Sequence, residues 1–281
     1  MRWLTFAYQG RASFGMVSAS GDAVIDVGTR GQYADLKSAI AANALNGLAL
    51  ASRGETGIPL DAITWLPTIT NPDKILCVGL NYKAHQEETG RGGEAYPTIF
   101  VRFAGAQMGH KAPMIRPRES NTLDYEGEVA MIIGKAGRRI AKERALEHVA
   151  GFSIYNDGSV REYQRNTSQF TPGKNFASTG GFGPWMMTTD EVGDLDALEL
   201  TTRLNGNVMQ NAKTSQLVFG FAELIVYCST FVELVPGDVI VTGTPGGVGS
   251  ARKPPVFMDE GDLIEIEVKP IGVLSNRVVR D

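Results

Sequence analysis

Asn205-Gly206, set between the runs Glu199–Leu204 and Val208–Ala212, is the strongest short hairpin signal in the chain. Such a turn needs positive φ at both central residues, which Asn and Gly tolerate, and its twist matches two antiparallel strands. Further short strands are predicted at Lys74–Val78, Thr98–Phe103, Glu126–Ile133, Gly151–Asn156, Asp238–Thr242, Leu263–Val268 and Val273–Val279. Residues 1 to 28 read as a β-meander, Arg2–Tyr8, Ala12–Ser18 and Ala23–Val27. Helical spacing is sparser. Tyr33, Leu36, Ile40, Ala44 and Leu48 predict one helix, and others are predicted at Ala141–Val149, Ser159–Arg165 and Gln216–Thr230. Strands outnumber helices, and 33 of 281 residues are glycine, against a usual ~7%. The expected class is a β-rich α+β fold and not a βαβ repeat. The aperiodic stretch Ile58–Pro72, with its three prolines, divides a small N-terminal α+β domain, 1–70, from a main domain, 71–281.

Composition narrows the function. With 27 Lys+Arg against 31 Asp+Glu the formal net charge is −4, which argues against a general nucleic-acid binder. No apolar run approaches the ~20 residues of a membrane-spanning helix, and Met1–Gly10 lacks the apolar core of a secretion signal. Cys77 and Cys228 each sit in an apolar stretch and form no CxxC pair, so they read as buried thiols in a reducing compartment. The expectation is a cytoplasmic protein with neither nucleic-acid nor membrane partners.

Chemistry concentrates in five segments. In Glu126-Gly127-Glu128-Val129-Ala130-Met131-Ile132, strand alternation puts both glutamates on the face of Ala130 and Ile132. Two carboxylates held that close and buried need a proton or a cation between them. Asp157 ends another apolar strand, and three oxygen ligands without nearby His or Cys suit Mg²⁺ or Mn²⁺ better than zinc. The alternatives are a strand entering from solvent with both glutamates hydrated, and Asp157 as a helix N-cap. His85 and Glu88, three apart, share one helix face, where the carboxylate can orient the imidazole as a base; an ordinary solvated turn is the other reading. Thr171-Pro172-Gly173-Lys174-Asn175 places a lysine after a Pro-Gly turn. Thr242–Gly249 is a glycine-rich loop with amides free to approach an anion, and neither loop matches a nucleotide-binding pattern.

The order Glu126-Gly127-Glu128, Asp157, Arg161, Gln164, Gly173-Lys174-Asn175-Phe176 and Thr242-Gly243-Thr244-Pro245 resembles the fumarylacetoacetate hydrolase superfamily, in particular its acylpyruvase and 2-hydroxyhepta-2,4-diene-1,7-dioate isomerase-like branch. The likeness runs from about Asp73 to the C-terminus. Asn81-Tyr82 leading into His85 and Glu88 is similar to that family's short lid helix, and Tyr82–Glu94 is the segment expected to close over the substrate. Two positions depart from the pattern: Val101-Arg102-Phe103 stands where many members have Lys-Pro, and Gly158-Ser159 where Val-Ser is usual. The resemblance implies a rolled mixed β-sandwich, commonly dimeric, with a variable N-terminal domain. It implies Glu126, Glu128 and Asp157 as ligands of Mg²⁺ or Mn²⁺, and His85, Glu88 and Lys174 as catalytic residues. Tyr82, Arg102, Arg161, Gln164 and Thr244 would then contact the substrate. The implied activity is metal-dependent hydrolysis of a C–C bond in a β-diketo acid, an acylpyruvate or fumarylacetoacetate-like compound from aromatic or sugar-acid catabolism, by a homodimer. The alternatives are an isomerase, hydratase or decarboxylase of a 2-oxo acid on the same scaffold, and a metal- or ligand-binding protein without turnover.

Overall fold

The computed structural model describes residues 1–93 and 95–281; Glu94, the last residue of the expected lid segment Tyr82–Glu94, lies outside them. The β-rich α+β sandwich expected from the sequence is the architecture observed. A large sheet of 12 strands runs from Ile58–Pro59 through Ala23–Asp26, Arg11–Val17, Arg2–Tyr8, Gly180–Thr188, Val149–Asp157, Gly127–Ile133, Val239–Val241 and Ile75–Gly79 to Thr98–Arg102, with Thr64–Trp65 beside Arg2–Tyr8 and Gln107–Met108 beside Gly180–Thr188 off this path. Along this path only Val239–Val241 and Ile75–Gly79 pair in parallel. A second sheet of 5 strands is ordered Asn207–Lys213, Glu199–Leu204, Leu263–Lys269, Gly272–Arg280 and Met114–Arg116.

Alternation along Gly127–Ile133 explains the layers. Val129, Met131 and Ile133 face the second sheet and pack with Phe152, Ile154, Ile266, Val268 and Leu274. Ala130 and Ile132 face the other way, into a cluster with Tyr155, Phe182 and the N-terminal Leu36 and Ile40. The strand is buried over its whole length on both faces. Glu128 shares the parity of Ala130, so the fold itself carries a carboxylate into the interior.

The meander is as expected, but it does not form a sheet of its own. Arg2 and Trp3 pair with Met187 and Met186, so the large sheet crosses residue 70 without a break. The strand that joins the two parts, Gly180–Thr188, is absent from the sequence reading because Gly180, Gly181 and Gly183 mask its pattern. At Gly180 a side chain has no room: a Cβ there would stand 2.6 Å from the Tyr155 hydroxyl and 2.8 Å from the Arg102 guanidinium. The single helix expected over Tyr33–Leu48 is two, Leu36–Ala41 and Leu45–Ala51. Asn43, at φ 51°, breaks it, and Asp35 caps the first through the Ser38 amide. Over Lys142–His148 the chain winds as a 3-10 helix instead of an α-helix, which brings Ala145 and His148, three apart, onto the same buried side.

Phe152 is fully buried and meets Phe221 edge-on at 5.3 Å. Phe152→Ala should therefore cost about 3–5 kcal/mol. Urea unfolding should show the midpoint falling with the slope unchanged.

Candidate active site

The carboxylates meet because two strands end together. Gly127 is paired with Asn156 and Glu128 with Tyr155, and the Asp157 amide donates to the Glu126 carbonyl at 2.8 Å. Glu126, Glu128 and Asp157 each offer an oxygen within 4.8 Å of the others, and all three are buried. Gly127 separates the glutamates because the second sheet lies directly beneath: a Cβ there would come within 2.2 Å of the Thr202 hydroxyl. Its amide donates to the Gln210 side chain at 3.0 Å and its carbonyl accepts from the Thr244 hydroxyl at 3.0 Å.

Three cations surround this cluster. Lys174 Nζ lies 2.8 Å from Glu126 Oε2 and 2.6 Å from Asp157 Oδ2. Arg102 Nη1 donates to Asp157 Oδ1 at 2.6 Å, and Arg161 Nη1 donates to Glu126 Oε1 at 2.6 Å. A fourth buried carboxylate, Asp124, accepts from Arg161 Nε and from the amides of Gly249 and Ser250, each at 2.8 Å. Four acids against three bases leave one carboxyl group without a cationic partner, and it is Glu128. That carboxylate accepts the Gly243 amide but has no cationic side chain against it. Burial, then Asp157 and Glu126, push its pKa well above the carboxylate range. Glu126 goes the other way: against its burial, Lys174, Arg161 and His85 hold it far below that range. Against burial, Asp157 and Glu126 likewise keep the Lys174 ammonium above its ordinary value.

A hard divalent cation fits this donor set. The ligands are all carboxylate oxygens, the donors that Mg²⁺ and Mn²⁺ take, and one from each residue lies within 4.8 Å of the others. A dication also supplies what Glu128 lacks.

Across the cavity stands the helix Lys83–Thr89. His85 Nδ1 meets Glu88 Oε1 at 2.7 Å, and Glu88 Oε2 accepts the Gly247 amide at 2.8 Å. One carboxylate thus orients the imidazole and ties the helix to the glycine-rich loop. Asn81 fixes the start of this segment by donating to the carbonyls of Thr242 and Phe219 and accepting the Phe219 amide. The sequence suggested loop amides free to approach an anion, but those of Gly243 and Gly247 are taken by Glu128 and Glu88.

The helix and the carboxylate cluster enclose a cavity of about 420 Å³. His85, Glu88 and Lys174 line it, as do Glu126 and Glu128. Among the expected substrate contacts, Arg161, Gln164 and Thr244 line it too, while Tyr82 and Arg102 do not. Arg102 is buried behind Asp157, where it also donates to the Gly158 carbonyl and the Thr179 hydroxyl. Tyr82 is buried at the N-cap of the helix, bridged to Leu217. Asp157 also lies off the cavity surface, under Lys174. Asp124 escaped the sequence reading, although it stands two residues before Glu126. His110, packed edge-on against Trp65 and pushed down to about 4 by burial and Lys111, and His148, bonded to the Lys135 carbonyl, lie elsewhere.

Residues 74–279 match the family model described as fumarylacetoacetate (FAA) hydrolase C-terminal. A mitochondrial oxaloacetate tautomerase of Bos taurus is 44% identical over 224 residues, 79% of this chain and 71% of the relative. Two solved structures are similar over the full chain. Fumarylacetoacetate hydrolase from psychrophilic Exiguobacterium antarcticum is 33% identical with TM-score 0.85, covering 100% of both chains. Maleylpyruvate hydrolase from Sphingobium sp. SYK-6, in complex with manganese (II) ion and pyruvate, is 29% identical with TM-score 0.83, covering 100% of this chain and 99% of that one. Together with the acidic cluster and its facing histidine, these matches establish that the chain belongs to the fumarylacetoacetate hydrolase family of enzymes.

Proposed function

We propose that the chain is a divalent-metal-dependent tautomerase of a 2-oxo acid, moving a proton between C3 and the 2-oxo oxygen. One observation carries this reading: a carboxylate-locked imidazole faces a carboxylate cluster across one cavity, and the Gly243 and Gly247 amides beside it are already bonded to Glu128 and Glu88. That arrangement supplies a base and an electrophilic site, while the Gly243 and Gly247 amides are not left over as an oxyanion hole. The similarity to the bovine oxaloacetate tautomerase supports the same reading.

Mg²⁺ or Mn²⁺ held by Glu126, Glu128 and Asp157 would chelate the acid and stabilise the charge of its enolate. Glu88, accepting at His85 Nδ1, fixes the tautomer that offers Nε2 to the cavity. His85 then removes the C3 proton, and the Lys174 ammonium beside Glu126 offers charge and a proton at the enolate end. Gln164, its amide oxygen taken by Arg161 Nη1 at 2.8 Å, keeps its amide nitrogen for the ligand. Arg102 acts as a positioning residue, holding Asp157 from behind.

A second reading is hydrolysis of a C–C bond in an acylpyruvate, favoured by the similarity to maleylpyruvate hydrolase. The same dyad would then take its proton from water. Two cleaved products, against an isomer alone, separate the readings. Buried free Cys77 and Cys228 suit a reducing compartment, cytoplasm or mitochondrial matrix.

His85→Ala should lower enol-to-keto conversion of oxaloacetate, followed by ultraviolet absorbance and NMR, by about 10²–10⁴-fold. Mn²⁺ affinity in the same variant should stay within about twofold of the parent, and its loss would contradict the assignment. Metal and pH should be linked through Glu128. Its folded-state pKa lies above the ordinary 4.5, so the metal-free folded protein keeps a proton that the unfolded chain releases. Stability of the metal-free protein should decline as pH rises from about 4.5 through the folded value. Mn²⁺ at a hundredfold excess over its Kd adds about 2.7 kcal/mol. The rise in Tm that it gives should be larger at pH 8 than at pH 5 and absent in Glu128→Gln.

A further inference from the structure

The loop that follows Val239–Val241 serves both sides of the cavity: its Gly243 amide holds Glu128 and its Gly247 amide holds Glu88. Its two ends are fixed by different parts of the chain. Up to Thr242 the loop belongs to the large sheet, since the Thr242 amide and hydroxyl both donate to the Val129 carbonyl and Asn81 donates to the Thr242 carbonyl. From Thr244 onward it rests on the second sheet, against the strand Asn207–Lys213. The Gln210 side chain makes that contact. It is 1% exposed. Its Nε2 donates to the Thr244 hydroxyl at 2.8 Å and to the Pro245 carbonyl at 2.9 Å, while Oε1 accepts the Gly127 amide at 3.0 Å. The Thr244 hydroxyl closes the ring by donating to the Gly127 carbonyl. Further along, Gly247 passes so near the same strand that a Cβ there would stand 2.2 Å from the Met209 carbonyl, and Arg252 donates to the carbonyls of both Gly247 and Met209.

We propose that Gln210 is a positioning residue for the base: it sets the loop at Thr244 and Pro245, and through Gly247 and Glu88 it sets where the His85 imidazole stands relative to the carboxylate cluster. The inference rests on the proposed role of His85. The contacts form one continuous chain. Gln210 is bonded at one end to Gly127, between the two glutamates of the cluster, and at the other to Pro245. Two residues on, the Gly247 amide donates to Glu88 Oε2, and Glu88 Oε1 meets His85 Nδ1. One buried amide therefore spans from the cluster to the segment that orients the base, and it does not itself line the cavity. A displacement of about 1 Å in a reacting group, caused from a distance, can cost about 10²-fold in rate. Gly243 is secured by the sheet at Thr242, so Glu128 keeps its amide donor whether or not Gln210 is present. The metal side and the base side should thus respond separately to the loss of this side chain.

Gln210→Met keeps the length of the side chain and removes its three hydrogen bonds. It should lower kcat for metal-dependent tautomerisation of oxaloacetate about 10–100-fold, with KM and Mn²⁺ affinity within about threefold of the parent. Glu88→Ala cuts the same chain of contacts further along. Adding Gln210→Met to it should lower kcat by less than about twofold more, because two changes that act through one contact do not add. Losses that multiply in the double variant, or a Mn²⁺ affinity about tenfold weaker in Gln210→Met, would overturn the proposal. If Gln210→Met does not fold, Gln210→Glu takes its place: it keeps an acceptor for the Gly127 amide, loses the amide donors to the loop, and should show the same losses, whereas parent-like turnover would overturn the proposal. Imidazole ¹⁵N NMR of the metal-free protein, with 3 histidines to resolve, gives a readout that needs no turnover. His85 should carry its proton on Nδ1 in the parent and share it with Nε2 in the Gln210 variant, and the same tautomer in both would overturn the proposal. A parent that shows this NMR difference without metal-dependent turnover would overturn the proposed function and uphold the positioning of the imidazole.

Discussion

Everything at the site depends on how buried carboxylates at the ends of Gly127–Ile133 and Val149–Asp157 are compensated. Isolated charges in a protein interior cost several kcal/mol each even after relaxation. Here they are held because each strand end brings a partner within hydrogen-bond reach: Arg161 for Asp124 and Glu126, Arg102 and Lys174 for Asp157. The compensation stops one charge short, at Glu128. A fully matched cluster would be a structural ion-pair network. The unmatched glutamate, facing the cavity, is what suits the network to the proposed dication.

The cluster also organises what lies around it. Asp124 gathers Arg161 and the Gly249–Ser250 turn, so the anchor of one wall is the anchor of another. Opposite, Glu88 links the imidazole to Gly247 and so joins the short helix to the loop that follows Val239–Val241. That helix has seven residues, too few to be stable alone in water. Its position comes from Asn81 and Glu88, each bonded to backbone groups elsewhere in the chain. The imidazole is accordingly held in place by a few polar contacts.

Much of this was legible in the residues. Alternation alone put Glu126 and Glu128 on the face of Ala130, and i to i+3 spacing put His85 beside Glu88. Asp124, two residues before Glu126, lies on the same alternation. Other features were hidden for physical reasons. The strand Gly180–Thr188 carries glycines where Tyr155 and Arg102 crowd the backbone, so its hydrophobic alternation is erased by its neighbours. Arg102 looked like a substrate contact, but its burial behind Asp157 depends on a pairing 55 residues apart that no local pattern encodes. The same holds for the amides of Gly243 and Gly247, whose acceptors come from distant segments.

The central claim is that Glu126, Glu128 and Asp157 hold a divalent cation facing His85. Anomalous diffraction at the manganese edge from crystals grown with Mn²⁺ tests it most directly. A single strong peak about 2.1–2.2 Å from an oxygen of each carboxylate, with the Lys174 ammonium shifted to make room, is the expected result. A peak elsewhere, or an empty cluster with Lys174 still bridging Glu126 and Asp157 at saturating Mn²⁺, would contradict it.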